Sequence, residues 1–121
     1  MILVDTSVWI DHLRKGDPKL SALLQEGSIV THPFVIGELA CGTMRHRAKV
    51  LALLQSLPSA RMATNDEVLF FIERHALMGR GLGIVDAHLL ASVAIESGTT
   101  VMTRDAKLHA VAAEQGRAFK A

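Results

Sequence analysis

The chain opens on an unbroken apolar run, Met1-Ile2-Leu3-Val4, that ends at Asp5. A run with no polar residue on alternate positions suits a strand covered on both faces. Asp5 then stands at the carboxyl end of that strand, the edge where open parallel sheets bind ligands. Thr6 or Ser7 can cap a following helix that carries Trp9 and Leu13 on one face. Asp5 therefore has two readings, a site acid or a residue that only helps this helix to start.

The pattern then alternates. Lys15-Gly16-Asp17-Pro18 is turn chemistry, with Asp17 as a cap and Pro18 at the first helical position. Leu20, Leu23 and Leu24 follow helical spacing towards a stop at Gly27, and Ser28 to Thr31 form a short second strand. Pro33 opens a helix that Gly42 ends, and Val50, Leu53, Leu54 and Leu57 make a helical stripe before Pro58. A short strand is expected at 60–63. Asn65 caps a long helix with Val68, Leu69, Ile72 and Ala76 inward. Residues 78–83 form a loop without the lysine and hydroxyl of a phosphate-cradling motif. Residues 84–97 read as a nearly all-apolar helix whose polar stripe is His88, Ser92 and Glu96. A strand at 99–103, a helix started by Asp105 and a terminal strand at 118–119 complete the order. Strands alternating with helices imply right-handed crossovers and a parallel sheet. The expected fold is α/β: one domain over residues 1–121, a three-layer α/β/α sandwich around a short, mainly parallel central sheet.

Composition changes this picture little. A length of 121 residues allows one domain with a real core. The net charge of +1 gives no global signature of nucleic-acid binding. Locally, no acid lies between Glu38 and Asp66, while Arg45, His46, Arg47, Lys49 and Arg61 do. Such a segment is either a solvated face or a phosphate-binding surface. Cys41 is the only cysteine, so no internal disulfide forms, which fits a reducing cytoplasm. Its neighbours Leu39, Ala40 and Gly42 suggest small-residue helix packing. No signal-peptide pattern and no bilayer-length apolar run is visible, so the expected location is cytoplasmic, with no membrane contact.

Four acids stand out from the twelve. Asp5 ends an apolar strand. Glu38 is the only charge in its helix and shares a face with Phe34 and Cys41, so it is expected to point inward. Asp86 lies away from the polar stripe of its helix, beside Leu90 and Val93. Burying a lone carboxylate costs several kcal/mol unless something pairs with it. Asp105 follows a strand and precedes a helix, and taken alone it reads first as a helix cap. Asp5 and Asp105 share one sheet edge if both strands are parallel. Four converging carboxylates repel one another unless a cation is present. Their oxygens suit Mg²⁺ or Mn²⁺, and no Cys/His set has zinc spacing. A carboxylate-held Mg²⁺ supports phosphodiester cleavage, because it binds phosphate oxygens and activates water. Ser7 and Thr103 could orient a ligand or a water, or they could be a cap and strand filler.

Val4-Asp5-Thr6-Ser7-Val8-Trp9-Ile10-Asp11, Gly37-Glu38-Leu39, Val85-Asp86-Ala87-His88-Leu89-Leu90-Ala91 and Thr103-Arg104-Asp105 resemble the PIN-domain family. More closely, they resemble the VapC toxins of toxin–antitoxin pairs. The resemblance runs over nearly the whole chain in the same order. It implies a Mg²⁺- or Mn²⁺-dependent endoribonuclease with Asp5, Glu38, Asp86 and Asp105 as the acidic site, assisted by Thr103 or Ser7. It also implies a homodimer, or a larger toxin–antitoxin assembly, and a VapB-like antitoxin that inserts residues into the acidic groove. The family often has an aromatic residue soon after the last aspartate, whereas Ala106, Lys107 and Leu108 follow here. Arg45, Arg47 and Arg80 are the expected RNA contacts, because a polyanion needs cations beside an acidic pocket. With four Phe, one Trp and no Tyr, base stacking is expected to be limited.

Two further enzyme or signalling classes also place acids at a sheet edge. A haloacid-dehalogenase-type phosphatase needs a second aspartate two positions after the first, where Ser7 stands. A phosphoacceptor receiver domain needs adjacent acids after the first strand and a late lysine, and neither is visible. A catalytically inactive PIN-like binding module would keep the fold and lose the chemistry.

Overall fold

The computed structural model describes residues 1–120; position 121, the last of the expected domain, lies outside the described residues. Strand β1 (Ile2–Val4) is buried on both faces, as its uninterrupted apolar run requires. It is the middle strand of a three-stranded sheet, flanked by β2 (Ile29–Val30) and β3 (Thr100–Met102), and both pairings are parallel. Leu3 lies opposite Val30 on one side and Val101 on the other. Single parallel bridges extend each edge, Thr31 to Ser59 and Val101 to Ala118. The strand expected at 60–63 does not form, and a single bridge stands one residue earlier at Ser59; the strand expected at 118–119 is reduced to the bridge at Ala118. Ala60 N–H donates to Thr31 O, just past the end of β2, and Phe119 N–H donates to Val101 O in β3.

Among the described residues seven helices join and cover these strands: α1 (Thr6–Lys15), α2 (Pro18–Gln25), α3 (Pro33–Cys41), α4 (Arg47–Ser56), α5 (Asn65–Arg74), α6 (Ile84–Ile95) and α7 (Ala106–Glu114). α1 packs on α3 and α3 on α4, while α5 packs on α6, and α6 and α7 pack on β3. The expected α/β sandwich is the observed architecture. Local chemistry sets most helix starts. Asp17 accepts from the N–H groups of Lys19 and Leu20, with Pro18 at the first helical position. α5 starts one residue earlier than expected. Thr64, not Asn65, is the cap, because Thr64 and Glu67 close a reciprocal capping box.

The core gathers Leu3, Val4, Val8, Trp9, Leu89 and Leu90 with apolar residues of every other helix. Burial differs from the expected pattern on three helices. On α5, Phe71 is buried and Leu69 exposed, and Ala76 lies past the helix at φ 51°. On α6, His88 and Ser92 are buried, not solvated, because neighbours surround this helix and every residue from Ala87 to Val93 is buried. Cys41 is free and exposed at the end of α3, so it is not buried in the small-residue packing expected there. No helix among the described residues is long and apolar enough to cross a membrane.

Candidate functional site

Parallel pairing brings the ends of β1 and β3 to one edge, where Asp5 and Thr103 meet. Asp5 is buried and precedes α1, yet its carboxylate takes no part in capping that helix. Its Oδ2 accepts instead from Thr103 Oγ1 at 2.7 Å and from Ser7 Oγ at 3.0 Å. The two hydroxyls lie 3.4 Å apart. Thr103 Oγ1 also accepts from Asp105 N–H, and Ser7 Oγ accepts from Arg104 N–H. Asp5, Ser7, Thr103 and Asp105 therefore form one connected network. Asp5 stands at the N-cap of α1 and its carbonyl accepts from Val8 and Trp9 N–H, but its carboxylate does not cap, whereas the Asp105 carboxylate does cap α7: its Oδ1 accepts from Lys107 and Leu108 N–H, and no hydrogen bond among the described residues takes its Oδ2.

Glu38 is exposed, so the inward position expected for it is corrected. The reason is the short α3, which buries Val35 and Leu39 and leaves Glu38 at the rim. Thr6 Oγ1 donates to Glu38 Oε1 at 2.7 Å and ties it to the start of α1. Thr6 reads in sequence only as a capping residue. Its adjacency to Asp5 was the available signal for more.

Asp86 is half-buried in the first turn of α6 and folds back to accept from Gly83 N–H at 3.2 Å. Its carboxyl is held above the usual carboxylate range, first by burial, against the pull of the Gly83 bond, and then by the charges of Asp5, Asp105 and Glu38. All three of the other acids thus act on it. None of the four is paired with a lysine or arginine among the described residues. The ion pairs there join Arg80 to Glu114 and Arg104 to Asp11 and Asp17. The donor chemistry is that of a hard divalent cation: carboxylate oxygens with hydroxyl neighbours and no thiolate. No three His, Cys, Asp or Glu side chains among the described residues are drawn in as a closed ligand set. Asp86 and Glu38 are turned to local partners, Gly83 and Thr6, and would have to rotate toward Asp5 to share an ion.

The three arginines differ. Arg45 lines a groove of about 850 Å³ whose wall also includes Glu38, Arg14, Leu39, Met44 and His46. Arg47 donates to the carbonyls of Gly42 and Ala40 at the end of α3. Arg80 makes a two-pronged pair with Glu114 on α7.

Comparisons with known proteins identify the family and the fold. The family model described as "PIN domain" matches residues 2–114. The chain is 52% identical over 119 residues to proteins named Ribonuclease VapC32 from two strains of Mycobacterium tuberculosis, an alignment spanning 98% of this chain and 96% of each relative. The crystal structure of PAE2754 from Pyrobaculum aerophilum shares the fold, with a TM-score of 0.66 at 21% identity over 98% of this chain and 87% of that one.

Proposed function

This chain belongs to the PIN domain family, in its VapC branch, and from that premise we propose that it is a Mg²⁺- or Mn²⁺-dependent endoribonuclease acting as the toxin of a toxin–antitoxin pair. The observation that carries the proposal is the position of Asp5: a buried carboxylate at the carboxyl edge of a parallel sheet, bonded to two hydroxyls, unpaired with any cation among the described residues, and acting on Asp86 together with two further acids. Asp5, Glu38, Asp86 and Asp105 would hold the metal, which when bound supplies charge for the scissile phosphate and lowers the pKa of water. Thr103 and Ser7 fix the direction of Asp5 through its Oδ2 and leave its Oδ1 free of any hydrogen bond among the described residues. The groove beside Glu38 offers a path for RNA. Arg45 and Arg14 on its wall supply phosphate contacts; Arg47, bonded only to carbonyls, adds positive charge, while Arg80 would have to leave Glu114 to meet RNA. The same reading includes a homodimer and a VapB-like antitoxin that competes with RNA for this groove, inside the cytoplasm.

Chelation tests the metal directly. Cleavage of an RNA oligonucleotide by the purified chain should stop in EDTA and return with excess Mg²⁺ or Mn²⁺, and calorimetry should register Mn²⁺ binding. Undiminished cleavage in the chelator would remove the metal from the proposal. Mn²⁺ binding with no cleavage of any RNA would favour the inactive binding module. Thr103→Val should lower the cleavage rate about 10- to 100-fold, the range for outer partners of metal ligands. Single-turnover cleavage reads it, with circular dichroism to verify folding, and an unchanged rate would leave Thr103 as a strand residue only.

A further inference from the structure

Arg104 sits between Thr103 and Asp105, yet its guanidinium contacts neither Asp5 nor Asp105. Nε meets Asp11 Oδ2 at 2.7 Å and Nη2 meets Asp17 Oδ2 at 2.6 Å. Asp11 lies on α1, and Asp17 is the cap of α2, with its other oxygen already accepting from Lys19 and Leu20. Asp17 N–H in turn donates to His12 Nδ1 at 3.0 Å. One side chain therefore joins the loop after β3 to two helices, and the carboxylate at its far end is itself fixed. The backbone N–H of Arg104 completes the tie by donating to Ser7 Oγ at 3.0 Å.

We infer that Arg104 is a positioning residue, a clamp whose two ion pairs hold the 103–105 loop against α1 and so set the hydroxyl network that orients Asp5 and Asp105. The side-chain bonds that aim Asp5 come from Thr103, which precedes Arg104 in the chain, and from Ser7, which accepts from the Arg104 N–H. The Asp105 backbone is held by its own N–H on Thr103 Oγ1, while its carboxylate is turned onto the start of α7. Slippage of the loop would loosen all of these together. A single exposed ion pair contributes little, but one planar guanidinium bonded to carboxylates on two separate elements resists rotation as well as separation. The direction of the charge matters too. Arg104 places its charge on Asp11 and Asp17, outside the site, and none of the four site acids pairs with a lysine or arginine among the described residues.

The activity arm of the test rests on the ribonuclease reading, and the exchange arm does not. Two sets of variants remove the clamp from opposite ends: Arg104→Met, and Asp11→Asn combined with Asp17→Asn. Asparagine is a good helix cap, so α2 keeps its start, and Arg104 keeps its charge in the second set. The clamp predicts that both sets lose about 10- to 100-fold in kcat with KM unchanged. The triple variant should be no worse than either, because all three side chains act as one unit. Hydrogen exchange at the Arg104 and Asp105 amides should quicken in both sets, in the metal-free protein. A direct RNA contact predicts otherwise: Arg104→Met would raise KM and flatten the salt dependence, and the double asparagine variant would keep its activity. Wild-type kcat and slow exchange in the double asparagine variant would overturn the clamp. Should the wild-type chain cut no RNA, the exchange rates and Mn²⁺ affinity of the same variants still decide whether the loop is held by these pairs.

Discussion

Asp86→Asn should abolish RNA cleavage and at the same time raise the melting temperature of the metal-free protein. The two effects have one cause. Folding brings the Asp86 carboxylate into a half-buried place, where Asp5, Asp105 and Glu38 oppose its charge. Its pKa is raised on folding, so its ionised form opposes the fold at any pH above the ordinary carboxylate range. Asparagine removes that charge and keeps an oxygen to accept from Gly83 N–H. Stabilising single substitutions of this type yield about 0.5–2 kcal/mol. The same substitution removes one of the four acids proposed to hold the metal. The expected fall in cleavage exceeds about 100-fold, beyond what changes to outer partners produce. Differential scanning calorimetry with EDTA reads the first effect and oligonucleotide cleavage with Mn²⁺ the second. A lower melting temperature would show that the Gly83 bond outweighs the repulsion. Retained cleavage would take Asp86 out of the site.

Acidification should destabilise the protein between about pH 6.5 and 4 through His32. This residue caps α3, with Nδ1 accepting from Phe34 N–H at 3.0 Å, so the neutral ring carries its proton on Nε2. The ring is fully buried, and Nε2 has no hydrogen-bond partner among the described residues. Phe34 lies edge-on between it and His88, with ring centroids 5.3 Å and 4.5 Å away respectively. Burial, and then the proximity of His88, push the His32 pKa down from 6.5 to about 4. Above 6.5 neither folded nor unfolded chain binds the proton. Between 6.5 and about 4 only the unfolded chain does, so stability falls across that window and levels off below it. The gap corresponds to roughly 3 kcal/mol at about 1.4 kcal/mol per unit. His88, also lowered by burial, acts in the same direction, and Asp86, raised, acts in the opposite one. Urea unfolding from pH 7 to 4 measures the slope. His32→Asn keeps a capping acceptor and loses the titration, so most of the slope should vanish even if its smaller side chain lowers stability at every pH. An unchanged slope in that variant would assign the acid sensitivity elsewhere.

Several features of the site were legible in the chain because their causes are local. An apolar run ending in an acid places Asp5 at a strand end, and parallel order places Asp105 at the same edge. Asp17 and Pro18 name the start of α2, and Asp105 names the start of α7. Other features depend on what packs nearby. Glu38 was expected inward from the lack of charged neighbours in its helix, but α3 is short and leaves it at a rim beside Thr6. His88 and Ser92 have the spacing of a solvated stripe, and they are buried because α6 is covered on that face too. Arg104 gave no sign of its partners, since Asp11 and Asp17 lie far back along the chain.

The sequence by itself determined the order of elements, the strand ends on which two acids sit, and membership of the PIN domain family, since periodicity, capping and motif are properties of neighbouring residues. Only the tertiary structure decided which hydroxyls aim Asp5, which acid is driven above its ordinary pKa, and where each arginine places its charge. Those outcomes depend on distances between residues remote along the chain and on how much water the fold leaves around them. Neither quantity is written in any local stretch.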